Sequence, residues 1–148
     1  MPALHLGTPC AYLTPVPAQT PPRGWMSWQA FRAETDCATF PEHCINEHLY
    51  QVMTDVLVAD GYLAAGYNTI HLDDAIVAKS RDAAGRLQAD PQRFPSGFKA
   101  LGDYMHARNV SFGFYTAMSE TTCGGYPGSA GHEALDAETF AAWGCGGL

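Results

Sequence analysis

The chain has 148 residues, 47% hydrophobic and only 16% charged. That composition excludes disorder over most of its length and allows one domain with a real core. The formal net charge is −7, from 8 basic and 15 acidic residues, with no basic stripe, so neither a nucleic acid nor an anionic membrane surface is an expected partner. No apolar stretch reaches the ~18 residues of a spanning helix.

In chain order, residues 1–19 are rich in Pro and Thr and show no period. They read as an extended or disordered arm. The first seven residues lack a basic n-region and a continuous apolar h-region, so they do not read as a signal peptide. A short strand is expected over 24–28, Gly24-Trp25-Met26-Ser27-Trp28, with Trp25 in the core. A loop carrying Cys37 and Cys44 follows. If bridged, that loop restricts the unfolded chain by about 2–3 kcal/mol. Cys10, Cys123 and Cys145 have no obvious partners, and the odd count fits either part of a disulfide set or free thiols.

A helix is expected over 46–59, with Asn46 as its cap and Glu47 at the positive end of the dipole. Ile45, Leu49, Val52, Met53 and Val56 form its apolar stripe. Gly61 and Gly66 turn the chain into a buried strand over 68–72, closed by Asp73-Asp74. Residues 79–87 read as a long polar surface loop of the kind that carries function. A second helix starts near Ser96, with Phe98, Leu101 and Met105 on one face and Asn109 at a left-handed stop. A strand over 110–115 and a Gly-rich loop with Cys123 come next. The last helix spans roughly 135–143 and ends at Gly144, and 145–148 reads as the start of a fourth strand.

Strands alternating with helices argue for an α/β fold with a parallel sheet and right-handed crossovers. A complete (β/α)8 barrel takes about 250 residues, so this length fits a smaller α/β fold or an incomplete barrel. No Gly-x-Gly-x-x-Gly follows the first strand, which argues against a dinucleotide site, and no cofactor is expected.

Asp73 and Asp74 are the first functional candidates. Carboxylates at the C-terminal end of a strand suit a sugar, because each oxygen accepts a hydrogen bond from a hydroxyl. The plainer reading is a turn or a helix cap, where Asp is common. Trp28 would end the first strand, where its ring suits a sugar face, although large aromatics are more often packed for burial. Tyr115 ends the third strand, within reach of the same place. His43-Cys44-x-x-x-His48 has no matched second pair, so no metal site is expected. His71 reads as a core or helix-facing histidine, and no Gly-x-Ser-x-Gly elbow is present.

Taken together, the segments resemble the α-galactosidase/α-N-acetylgalactosaminidase family, glycoside hydrolase family 27, in its N-terminal part. The stretches that carry the likeness are Pro22-Arg23-Gly24-Trp25-Met26-Ser27-Trp28, Cys37 to Cys44, Leu72-Asp73-Asp74 and Arg81-Asp82-Ala83-Ala84-Gly85-Arg86-Leu87. Asp90-Pro91-Gln92-Arg93-Phe94-Pro95, Cys123-Gly124-Gly125-Tyr126-Pro127-Gly128 and Asp136-Ala137-Glu138-Thr139-Phe140-Ala141-Ala142-Trp143-Gly144 continue it. The resemblance implies a (β/α)8 TIM barrel that is incomplete here, roughly the first three to four β/α units, over residues 20–148. It implies a retaining α-galactosidase in which Trp28, Asp73, Asp74 and Tyr115 line the galactose site and the two aspartates bind hydroxyls rather than cleave the bond. Cys123 would lie beside that site, and Cys37–Cys44 matches the family's short disulfide.

The family nucleophile, in a Lys-x-Asp-Gly-Cys motif, and its acid/base lie beyond Leu148, so no catalytic residue is expected in this chain. On its own it is expected to be inactive and, with open strand edges, to self-associate. A second family disulfide is replaced by Ala33 and Ala75. Expected substrates are α-galactoside or α-N-acetylgalactosaminide glycans, with the choice between them set by a later loop. The family also implies a homodimer and a lysosomal or secreted location. Other readings are a galactose-binding module without catalysis and a truncated product without function. Asn109-Val110-Ser111 is a glycosylation sequon, meaningful in a secreted chain and close to the third strand.

Overall fold

The computed structural model describes residues 23–145. The expected arm over 1–19 and the stretch 146–148 lie outside the described residues. Three strands, β1 (Gly24–Met26), β2 (Thr69–Leu72) and β3 (Ser111–Phe114), form a parallel sheet in the order β1-β2-β3. Trp25 pairs with Ile70 and Ile70 with Phe112, while Met26 pairs with His71 and His71 with Gly113. The crossovers carry the longer helices α2 (Glu47–Ala59) and α3 (Gly97–His106), with a one-turn helix α1 (Trp28–Phe31) after β1 and α4 (Glu133–Ala142) after β3.

The local sequence accounts for most of these boundaries. Asn46 is extended, and its side-chain oxygen accepts the Leu49 N–H at 2.8 Å, which satisfies one orphan donor of α2. Asn109 closes the turn after α3 at φ 59, a conformation that asparagine tolerates better than most residues. β1 is shorter than expected, because Ser27 turns helical (φ −72, ψ −26) and starts α1. Its hydroxyl is fully buried and accepts the Tyr50 hydroxyl at 3.1 Å, which ties the end of β1 to α2. Trp28 therefore opens a helical turn instead of ending a strand. Cys145 lies outside any strand and touches the Phe112 carbonyl at 3.5 Å.

Strand alternation divides the sheet into two faces. Ile70, Leu72 and Phe112 point into a core shared with Tyr50 and Leu57 of α2 and with Phe98, Leu101 and Met105 of α3. Phe114, Phe140, Trp143 and Trp25 pack around its edge. Phe98 meets Phe94, Phe114 and Trp143 at ring-centroid distances of 4.9–5.0 Å. Gly102 lets α3 come this close, since a Cβ there would sit 2.4 Å from the Phe112 ring. The other face carries Met26, His71 and Gly113 in register, and Met26 is 44% exposed. His71 alternates with Ile70 and Leu72, so it faces away from the helices, contrary to the helix-facing position expected from sequence.

Candidate functional site

The carboxyl ends of β2 and β3 gather the site. Asp73 follows β2 on the face of His71, half-buried, and its Oδ1 accepts the Asp74 N–H at 2.7 Å. Its second oxygen accepts no hydrogen bond among the described residues. Asp74 is buried and its carboxylate accepts three hydrogen bonds. Oδ1 accepts the Ala75 N–H at 2.7 Å and the Thr122 hydroxyl at 2.6 Å, and Oδ2 accepts the Gly124 N–H at 2.6 Å. Ala75 is held at φ 67, a left-handed conformation that costs an alanine on the order of 1 kcal/mol or more. The strain sits directly behind the acid pair and is fixed by the hydrogen bond to Asp74. The two adjacent aspartates thus have different surroundings: Asp74 is buried under three donors, and Asp73 is half-buried with one.

Tyr115 N–H donates to the Leu72 carbonyl at 2.8 Å, which places the Tyr115 side chain level with the acid pair. Its hydroxyl reaches Cys123 Sγ at 3.6 Å. That contact comes first among the causes that raise the Tyr115 phenol above its usual range, ahead of burial and the negative charge of Asp74. The phenol stays neutral and able to donate at physiological pH. His71 is pushed below its usual value, chiefly by burial and against the pull of Asp73, so a neutral imidazole lies under the acid.

The loop after β3 makes the site rigid. The backbone N–H of Tyr126 reaches the Thr122 hydroxyl at 3.1 Å, closing the turn that presents Gly124 to Asp74. A Cβ at Gly124 would lie 3.1 Å from the Asp74 carboxylate, so glycine permits the approach. Lys79, from the loop after β2, lies 3.4 Å over the Tyr126 ring. Behind the turn, Arg81 grips Asp136 of α4 with two nitrogens at 2.6 and 2.8 Å and also donates to the Gly85 and Gly128 carbonyls. Ser129 completes the set on Asp136 at 2.7 Å and meets Thr116. Burial alone would raise the Asp136 pKa, but the hydrogen bonds from Arg81 and Ser129 outweigh it and hold the carboxyl below the ordinary range.

Asp73, Asp74, Tyr115 and Cys123 therefore form one connected group. Trp28 sits at the neighbouring carboxyl end of β1, half-buried, with the Arg32 guanidinium 5.8 Å from its ring. Cys37 and Cys44 are joined in a disulfide. Among the described residues, no cluster of three or more His, Cys, Asp or Glu could hold a metal ion. Sequence reasoning missed Thr122, the Gly124 amide and the Arg81–Asp136 pair. Their only signal was the dense Gly, Thr and Pro content of 121–128.

The alpha galactosidase A family model matches residues 20–148. Alpha-N-acetylgalactosaminidase of Gallus gallus is 48% identical over 128 residues, 86% of this chain and 32% of that protein. Alpha-galactosidase A of Homo sapiens is 44% identical over 127 residues, 86% of this chain and 30% of that protein. The α-galactosidase of Saccharomyces cerevisiae, also solved with raffinose, superimposes with a TM-score of 0.76 at 36% identity, over 85% of this chain and 25% of that one. The chain spans about a third of the length of these curated relatives. With a match that starts at residue 20 and takes in the acid pair, the Cys37–Cys44 loop and the turn behind the site, the chain belongs to the alpha galactosidase A family of glycosidases.

Proposed function

We propose that this stretch of chain is the sugar-recognising wall of a retaining glycosidase that acts on terminal α-galactosyl or α-N-acetylgalactosaminyl groups. The sheet and its helices would be the first three to four β/α units of a (β/α)8 barrel spanning residues 20–148. The observation that carries this reading is the unequal use of the two aspartates. Asp74 is buried and takes three donors, while Asp73 is half-buried and its second oxygen has no donor among the described residues. An acceptor placed this way takes hydrogen bonds from adjacent sugar hydroxyls, and the neutral Tyr115 phenol donates one to a ring or hydroxyl oxygen. Trp28 would supply a face for the sugar ring, and Cys123 would border it.

In this division of labour, these residues bind and orient the sugar. Bond cleavage needs two further carboxyls about 5–5.5 Å apart across the glycosidic bond. Asp74 is assigned neither role, because it is buried and already accepts three hydrogen bonds. The Cys37–Cys44 disulfide supports a lysosomal or secreted compartment, and the same reading makes the whole protein a homodimer by likeness to its family.

A chimera tests the reading. Residues 20–145 of this chain would replace the matching stretch of the Gallus gallus enzyme, with turnover of aryl α-N-acetylgalactosaminide and aryl α-galactoside as readouts. The chimera should turn over sugar with the recipient's substrate preference, and Asp73→Ala should abolish turnover. A folded but inert chimera, or an Asp73→Ala chimera with undiminished activity, would sink the proposal. Turnover by the 148-residue polypeptide alone would overturn the division of labour.

A further inference from the structure

The chain has three asparagines, and only Asn109 heads an Asn-x-Ser/Thr triplet, Asn109-Val110-Ser111. The triplet spans the turn from α3 into β3. Val110 in the middle is fully buried, whereas Asn109 and Ser111 on either side are both exposed. The buried valine pins the triplet in place, and its two functional side chains point to solvent. Asn109 sits at φ 59, with its backbone N–H on the His106 carbonyl at 3.0 Å. Its side-chain amide makes no hydrogen bond among the described residues, so no native interaction competes for it.

The surroundings leave room for a bulky group. Gly66, Tyr67, Asn68, His106 and Ala107 are all exposed. Arg108 is drawn away from Asn109 by the Asp55 carboxylate at 2.8 Å and by the Tyr104 ring at 3.5 Å. The turn lies at the amino end of the sheet, and Asp73 and Tyr115 at its carboxyl end. The four residues of β3 separate the two ends by about 13 Å at ~3.3 Å per residue.

We propose that Asn109 carries an N-linked glycan. This rests on the lysosomal or secreted reading given above. In the transfer, Asn109 Nδ2 forms a bond to C1 of an oligosaccharide carried on a polyprenyl diphosphate. The C1–O bond to phosphate breaks, the lipid diphosphate leaves with the electron pair, and the amide loses one proton. Ser111 is the hydroxyl the transferase requires two residues on. The glycan projects from the sheet end opposite the sugar site, so the chain bears it without closing that site.

The test is expression of the full 148-residue chain behind a cleavable secretory leader in a eukaryotic cell, with formation of the Cys37–Cys44 disulfide, read by thiol alkylation, as proof of entry. The expected result is a single-step mobility shift removed by peptide-N-glycosidase, which leaves a carboxylate at position 109 for peptide mass spectrometry. Asn109→Gly, which suits the positive φ, and Ser111→Ala should each lose the shift, and Ser111→Thr should retain it at equal or higher occupancy. A disulfide-bonded chain with no shift, or a shift that survives in Asn109→Gly, overturns the site. A parallel arm without the added leader is the control for entry, and a shift there in a chain whose Cys37 and Cys44 stay reduced would overturn the glycan. Because the leader is supplied, loss of the shift bears on the site alone and not on the compartment reading.

Discussion

On the helix side of the sheet, Ile70, Leu72 and Phe112 have no exposed surface, and their neighbours Phe98, Leu101 and Met105 are within 1% of the same. On the other side, the same three strands present Met26 at 44% exposure, His71 half-buried, and Asp73 and Tyr115 at the carboxyl ends. The first face is held by apolar area and aromatic packing, the second by directional hydrogen bonds. Stability and recognition are therefore separated residue by residue along each strand, and a one-residue shift in register would exchange them.

Substitutions on the two faces should differ accordingly. Phe98→Ala, in the middle of the aromatic cluster, should cost about 3–5 kcal/mol in a urea titration. If it costs no more than a surface change, the helix-side core is not what holds the fold. Asp136→Ala should cost a similar amount, about 3–5 kcal/mol, because it leaves Arg81 buried without its partner. It also carries a pH signature. Asp136 has a lowered folded pKa, so its contribution is full above the ordinary Asp value of 3.8 and is lost as pH falls through the lower folded value. The acid limb of a stability profile should flatten in Asp136→Ala, and an unchanged limb would show that the Arg81–Asp136 pair adds no pH-dependent stability.

A sharper test sets the adjacent acids against each other. Asp74→Ala strips the acceptor from Thr122, Gly124 and Ala75 and should cost about 1–3 kcal/mol. Asp73→Ala loses only the Asp74 amide and should cost about 0.5–1.5 kcal/mol, while removing the proposed sugar acceptor. Equal costs in chemical denaturation would mean that the two acids are not divided into anchor and presented group. Smallest of all, Met26→Ala on the open face should shift stability by no more than about 0.5 kcal/mol.

What the sequence revealed depended on how far each interaction reaches. The α2 helix was legible to within a residue because its cap is local, Asn46 to Leu49. The Asn109 stop and the apolar face of α3 were legible for the same reason. β1 was read two residues too long, because Ser27 is drawn into a turn by Tyr50, 23 residues away. The sequence leaves His71 between a core and a helix-facing position, and the helix-facing one fails because alternation with Ile70 and Leu72 turns it to the other side. The acid pair was visible as a pair, but its unequal surroundings were not. Thr122 lies 48 residues from Asp74 and Arg81 lies 55 from Asp136, with no local pattern at either end.

That separation has a consequence for the nascent chain. The capped α2 helix and its neighbours make contacts within a few turns of emerging, but the loop that clamps Asp74 closes only once α4 is out and Asp136 can take Arg81. At ~5–20 residues per second, the 55 residues between Arg81 and Asp136 take roughly 3–11 s to synthesise. Until Thr122 and Gly124 have emerged, 48 and 50 residues after Asp74, that acid and the strained Ala75 have no outside support. The proposed sugar-recognising part is therefore ordered last. A ribosome pause within 122–136 would prolong the stage at which the open face is most available to chaperones or to another nascent copy.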